Sequence, residues 1–180
     1  MTITITSVDR VVDPDELSDI LRDYLGPVVE AFRQEAGLDL EVAPVVRATM
    51  DNLGAYLPPD GRLFLARDAG DRLVGTIFLK RIRPDAAEIK RLFVRPEARG
   101  TGLGRRLSEA AIAEARAMGM RSVLIDTSLW QTAAQALYSS MGFRDVPRYP
   151  ESENDISMDP WLVYMELMLG TGSQGTATES

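Results

Sequence analysis

Three glycines at alternate positions, Gly100, Gly102 and Gly104, join a strand-like run to a helix-like one, and this junction is the chain's foremost candidate for chemistry. Ile89 to Val94 reads as a buried strand, closed by Pro96 because proline has no N–H for a sheet ladder. From Leu103 the apolar positions Leu107, Ala111, Ala115 and Met118 recur at helical spacing, and Gly119 reads as the cap. A glycine turn at such a junction reaches backbone angles closed to other residues. It aims several N–H groups at one point, at the positive end of a helix dipole, so the expected ligand is an anion. Between residues 90 and 106 the bases are Lys90, Arg91, Arg95, Arg99, Arg105 and Arg106, against the single acid Glu97. That is a local charge of +5 in a chain of net charge −7. A polyphosphate fits this concentration; a basic helix start on an ordinary surface is the competing explanation.

The chemistry elsewhere is narrowed by what is missing. The 180 residues contain no cysteine and no histidine, which excludes disulfides, thiolate metal sites, a cysteine nucleophile and the commonest general base. Proton transfer must use carboxylates, tyrosine, lysine or water, and no metal is expected. A hydrophobic share of 45% and a charged share of 26% are those of a soluble globular domain with a substantial core. The acidic balance argues against nucleic acid or an anionic membrane as partner. No run is long enough to span a bilayer and Met1-Thr-Ile-Thr-Ile-Thr6 lacks the features of a signal peptide, so a cytoplasmic location is expected.

Elements must then hold these candidates in place. Residues 2 to 8 alternate with period 2 and read as a first strand. Asp13-Pro14-Asp15-Glu16 is a helix start, with Leu17, Ile20, Leu21, Tyr24 and Leu25 on one face. Gly26-Pro27 is expected to break that helix, and Val28 to Ala36 to resume as a second one ending at Gly37. Residues 44 to 57 form another helix candidate, stopped by the turn residues Pro58 to Gly61. Strands follow at 62–67 and 73–82 around the hairpin signal Asp68 to Asp71, and a third ends at Val94. After the helix of 103–118 come a short buried strand at 122–126, a helix at 133–140 and a closing strand at 161–169. Gly170 to Ser180 has no periodicity and is expected to be a disordered tail, which leaves one domain over residues 1–169. A strand–helix–strand crossover through the glycine turn makes the flanking strands parallel neighbours, with a ligand crevice at their C-terminal ends.

The type of phosphate binder can be narrowed by elimination. A Walker A loop needs Lys-Ser/Thr after its last glycine, but Gly104 is followed by Arg105-Arg106. The dinucleotide fingerprint Gly-x-Gly-x-x-Gly fails from Gly100, where Arg105 takes the last place, and from Gly102, where Leu107 does. Arg99-Gly100-Thr101-Gly102-Leu103-Gly104 instead resembles the acetyl-CoA pyrophosphate loop of the GNAT superfamily of N-acetyltransferases. Ala134-x-x-Leu137-Tyr138-x-x-x-Gly142-Phe143 resembles the second signature of that superfamily, and the likeness spans roughly residues 62 to 169.

The resemblance implies an α/β fold with a central mixed, largely antiparallel sheet flanked by helices. It implies acetyl-CoA as cosubstrate and an amine acceptor, either a small molecule or a protein, acetylated by direct attack. The backbone of Leu92, Phe93 and Val94 would pair with the pantetheine arm like an added strand. The N–H groups of Gly100, Thr101, Gly102, Leu103, Gly104 and Arg105 would hold the pyrophosphate, with Arg99 in the place of the family's usual Gln or Arg. Gln131 stands where many members have an asparagine that contacts pantetheine. Tyr138 would protonate the leaving thiolate, its ordinary pKa near ~10 keeping it protonated at neutral pH; a tyrosine merely packed on its helix is the alternative. Glu88 and Asp126 occupy places where members carry a catalytic carboxylate, each able to act through water. The structural alternative for both is an ion pair with Lys90 or Arg121. The acids Glu151, Glu153 and Asp155 read as a solvated acidic loop that can also attract a cationic amine. Two other functions remain open, an acyl-CoA sensor without turnover and a nucleotide-binding domain, and so does the oligomeric state, a homodimer included.

Overall fold

The computed structural model describes residues 2–170, so the expected tail from residue 171 onward lies outside the described residues. The strands are β1 (Ile3–Val8), β2 (Gly61–Asp68), β3 (Leu73–Arg83), β4 (Ala86–Val94), β5 (Ser122–Ser128), β6 (Arg144–Val146) and β7 (Leu162–Met168). The α-helices are α1 (Pro14–Ala36), α2 (Val42–Asp51), α3 (Leu103–Ala117) and α4 (Thr132–Ser140). The sheet runs β1-β2-β3-β4-β5-β7-β6, and β4 with β5 is its parallel pair, joined by the crossover through α3. The other neighbours are antiparallel, with β2–β3 and β3–β4 joined by tight hairpins.

Each face of the sheet is covered. On one side Leu103, Leu107, Ala111 and Ala115 of α3 pack with Ile77, Leu79, Ile89 and Ile125. On the other, Leu17, Ile20, Leu21 and Leu25 of α1 pack with Leu63, Leu73 and Phe78. This second face corrects one expectation, because α1 runs unbroken through Gly26-Pro27 for 23 residues. Its buried stripe, Leu17, Ile20, Leu21, Leu25, Val29 and Phe32, continues across the proline. A proline inside a helix costs about 3 kcal/mol, whereas burying a valine or a phenylalanine gains about 1.5–3 each. Val29 and Phe32 together offset the break, and tertiary burial wins over local propensity. The candidate at 44–57 becomes α2 followed by a 3₁₀ turn over Leu53–Tyr56.

The feature that makes a site is a fork in the sheet. β4 and β5 pair from Ala86↔Ser122 to Ile89↔Ile125 and then part. β4 stays with β3 as far as Gly75↔Val94, while β5 stays with β7 as far as Ser128↔Leu162. At the fork β4 carries a bulge: Arg91 and Leu92 lie opposite the single residue Ile77, and Arg91 takes φ 54°. A bulge bends its strand and re-aims its side chains.

Candidate active site

Between the diverging strands runs an open crevice of about 770 Å³. Leu92, Phe93 and Val94 form its β4 wall, and Ala133, Ala134 and Leu137 of α4 form the opposite one. At one end the glycine turn closes it with Arg99, Gly100, Gly102, Leu103, Gly104 and Arg105. Gly100 (φ 75°) and Gly102 (φ 76°) use the left-handed region, which lets successive N–H groups converge ahead of α3. Gly104 does not, since it already lies inside the helix, where a Cβ would meet Leu137 at an ordinary 3.6 Å. The first turn of α3 contains no acid to compete for an anion. Thr101 is exposed and does not line the crevice, its hydroxyl donating to the Ala98 carbonyl at 2.7 Å.

The local charge of +5 is mostly spent on structure. Arg95 pairs with Asp23, Arg106 donates to the Ile3 carbonyl at 2.9 Å, and Lys90 is buried. Arg99 and Arg105 are the two guanidinium groups on the crevice wall. Arg99 is held by the Val94 carbonyl at 3.1 Å, and Arg105 by the Ser140 hydroxyl at 2.7 Å.

At the inner end the crevice meets a second cavity of about 440 Å³, the two sharing Tyr24, Val28, Ser128 and Gln131. Its sheet side carries Lys90, Arg91 and Asp126, while α1, α2 and the 153–158 segment close the others. Beneath lies an ionic network that alternates in sign. Lys90 Nζ sits 2.7 Å from Asp126 Oδ2 and 3.1 Å from Glu88 Oε1. Lys80 Nζ is 3.5 Å from Glu88 Oε2 and also pairs with Glu153. The Tyr149 hydroxyl donates to Glu88 and lies 3.4 Å from Asp126 Oδ2.

Burial raises the Glu88 carboxyl above its ordinary value, and Lys90 pulls it back only in part. Burial acts on Asp126 the same way, but the Lys90 ammonium outweighs it and leaves Asp126 below its ordinary value. Burial opposes the charge on Lys90, yet Asp126 and Glu88 together carry its pKa upward. The three groups therefore titrate as a unit whose charged Lys90–Asp126 pair persists across the neutral range.

The architecture around this gap is shared with known proteins. The profile of the acetyltransferase (GNAT) family matches residues 21–143. The chain belongs to this family. An N-acetyltransferase of Schizosaccharomyces pombe is 32% identical over 166 residues, which covers 92% of this chain and 94% of the relative. A GNAT-family acetyltransferase of Staphylococcus aureus superposes with TM-score 0.71 at 20% identity over 93% of this chain and all of that one. One from Elizabethkingia anophelis, with acetyl-CoA bound, superposes with TM-score 0.64 at 19% identity, over 92% of this chain and 97% of that one. The mixed α/β architecture is that of the GNAT fold, as the two signatures implied.

Within this GNAT chain the site residues expected from the sequence are brought together unevenly. Asp126 lines the second cavity, whereas Glu88 is fully enclosed and touches neither cavity. Both are paired with Lys90, and neither with Arg121. Tyr138 lies 4% exposed and lines neither cavity, its ring tilted against Phe143 and its hydroxyl beside Ser108, while its helix neighbours Ala134 and Leu137 line the crevice. Gln131 reaches both cavities, but its carbonyl oxygen already accepts from Thr127 Oγ1 at 3.0 Å and from the Ser128 N–H at 3.1 Å. Only its amide N–H groups are left to meet a ligand.

The acidic loop is not merely solvated, because Glu153 pairs with Lys80 and Glu151 with Arg83. Arg148 ties the loop down through the Ser152 and Asn154 carbonyls and Asp159. Tyr149 and Lys80 are not legible from the sequence as site residues, whereas Lys90 is legible as an ion-pair partner for the two carboxylates. The one available signal was Glu88-x-Lys90, two charges on one face of an otherwise apolar strand, which demands a buried partner for each. Among the described residues no helix is long and apolar enough to cross a membrane, and no group of three His, Cys, Asp or Glu side chains is placed to hold a metal ion.

Proposed function

We propose that the protein transfers the acetyl group of acetyl-CoA to a primary amine by direct attack in a ternary complex. The observation that carries this is the meeting of two differently built cavities at the sheet fork, one ending in an anion-binding turn and the other in carboxylates. The diphosphate lies on the N–H groups from Gly100 to Arg105, flanked by Arg99, and the pantetheine arm runs along Leu92 to Val94. The thioester then rests at the junction beside Gln131. An amine in the second cavity attacks the carbonyl carbon. The C–N bond forms, the C–S bond breaks, and the thiolate takes the Tyr138 proton. Holding both reactants aligned supplies roughly 7–11 kcal/mol without a covalent enzyme intermediate.

Asp126, depressed by Lys90, is a weak base and a good anchor: it holds the acceptor's ammonium, and water carries the proton away. Asp126→Asn is therefore expected to raise KM for the amine about tenfold, with a smaller change in kcat. Steady-state kinetics at fixed saturating acetyl-CoA check this, and an unchanged KM with collapsed kcat would make Asp126 the base instead. Glu88, enclosed behind Tyr149 and Lys90, acts as a positioning group for both. Glu88→Gln is expected to leave the shape of the pH–rate profile unaltered.

The diphosphate site has its own test. Gly102→Asp places a carboxylate where the anion should lie and is expected to weaken coenzyme A binding about 30- to 100-fold. Calorimetry reads this directly, and a Kd within twofold of the unsubstituted protein would move the diphosphate elsewhere. One observation favours a second reading, a sensor that binds acyl-CoA without turnover: neither Glu88 nor Asp126 is free of its lysine. Thiol release from acetyl-CoA across an amine panel separates the two.

A further inference from the structure

Consecutive residues of a strand point to opposite faces, yet Lys90 and Arg91 both line the acceptor-side cavity. The bulge makes this possible by holding Arg91 at φ 54°, a left-handed conformation costly for a side chain of this kind. The Thr76 hydroxyl pins the bulge by donating to the Arg91 carbonyl at 3.1 Å. Thr49 of α2, buried, accepts from Arg91 Nη2 at 3.2 Å and from Nε at 3.4 Å. These contacts use two of the five N–H donors of the guanidinium. Among the described residues no carboxylate pairs with it, although the neighbouring Lys80 and Lys90 are each held by two. The helix side of the cavity is apolar, with Leu25, Val29, Phe32 and Val45 on its wall, while Asn52, Gln131, Asn154 and the acids Glu153 and Asp155 line other parts of it. A strained guanidinium without a carboxylate partner, on the same sheet side of the cavity as Asp126, is a receptor for an anion.

We propose that the acceptor is a free amino acid with an apolar side chain, its carboxylate received by Arg91, its amine by Asp126 and its side chain by the apolar wall. This rests on the acetyl-transfer reading above and specifies its substrate class. A planar guanidinium fork suits a carboxylate bidentately, which an ammonium group cannot do. A cavity of about 440 Å³ flanked by two helices has room for a molecule of this size.

The test compares acids with their decarboxylated counterparts: phenylalanine against phenethylamine, and leucine against 3-methylbutylamine. The acid is expected to be preferred in kcat/KM by about 10- to 100-fold at equal concentration of free amine. Arg91→Gly removes the fork while suiting the positive φ and should bring the ratio close to one; Arg91→Lys should give an intermediate ratio. If Arg91→Gly does not fold, a lowered ratio in Arg91→Lys supports the proposal and an unchanged one overturns it. Amines turned over as well as acids, or a ratio indifferent to residue 91, would overturn the amino-acid inference while leaving acetyl transfer standing. If coenzyme A binds but nothing is acetylated, acetyl transfer fails instead. Calorimetry of phenylalanine in the presence of coenzyme A then decides the inference: binding lost in Arg91→Gly supports it, and no binding overturns it.

Discussion

Tyr138→Phe is expected to lower the turnover of amine acetylation by about 10²-fold or more, the size of effect that a positioned proton donor contributes. The hydroxyl is enclosed beside Ser108, and burial pushes its pKa above the ordinary tyrosine value, so it keeps its proton throughout the neutral range. A thiolate leaving at the inner end of the crevice departs more readily when a positioned group donates a proton to it. The same residue also packs on Phe143, so a purely structural role must be distinguished from a chemical one. Phenylalanine preserves the ring, and stability should change by no more than about 1.5 kcal/mol, the usual net value of one hydrogen bond. The decisive readout is the leaving group. With thioesters of more acidic thiols the penalty should shrink, since those thiolates depart without help. A penalty independent of thiol acidity, or a turnover within threefold of the unsubstituted enzyme, would remove Tyr138 from the chemistry.

Lys90→Met should be the most destabilising single change at the site, at about 3–5 kcal/mol, because it leaves two buried carboxylates without their shared cation. The side chain of Lys90 is 6% exposed, that of Glu88 0% and that of Asp126 14%, so solvent can do little to compensate. For a chain of this length the loss corresponds to a fall of roughly 6–20 °C in Tm. Removing a partner as well, in Lys90→Met/Asp126→Leu, should restore much of the loss, and urea denaturation of the four-member cycle measures the coupling.

The pH dependence carries a sign. Asp126 is depressed in the folded state, so its stabilisation is present above the ordinary 3.8 and is lost as pH falls through the lower folded value. Lys90 is raised, so its stabilisation is present below 10.5 and is lost as pH climbs through the higher folded value. The pair should thus contribute a constant amount between about pH 5 and 9. In Lys90→Met, by contrast, Glu88 is freed from its main counter-charge and rises further. That variant should grow more stable as pH falls from 8 toward 5. A flat profile there would mean that Glu88 is neutralised by Lys80 alone.

The ionic network also explains why the site was only partly legible beforehand. The glycine turn declared itself because its chemistry is local: backbone amides, two left-handed glycines and a helix start all lie within a few residues. The α3 stripe and the strand before it declared themselves by periodicity, and they place the fork at the C-terminal ends of β4 and β5. Tyr149 had no such signature. It stands 61 residues from Glu88 in a loop without pattern, and only the return of β7 against β5 brings the two together. The acids of that loop looked solvated for the same reason, their partners Lys80 and Arg83 lying on the distant β3.

Pro27 shows the opposite failure, a strong local signal overruled. A proline is expected to end a helix, and this one does not, because the apolar stripe from Leu17 to Phe32 is buried on both sides of it. What the residues by themselves determined was therefore whatever depends on near neighbours: the alternation of strands, the glycine turn, the basic run and the absence of histidine and cysteine. What only the tertiary structure decided was which charges meet, which are spent as structure and which is left over. Ion pairing in a low-dielectric interior is set by distances across the sheet, and those distances are fixed by register, bulge and loop closure rather than by position along the chain.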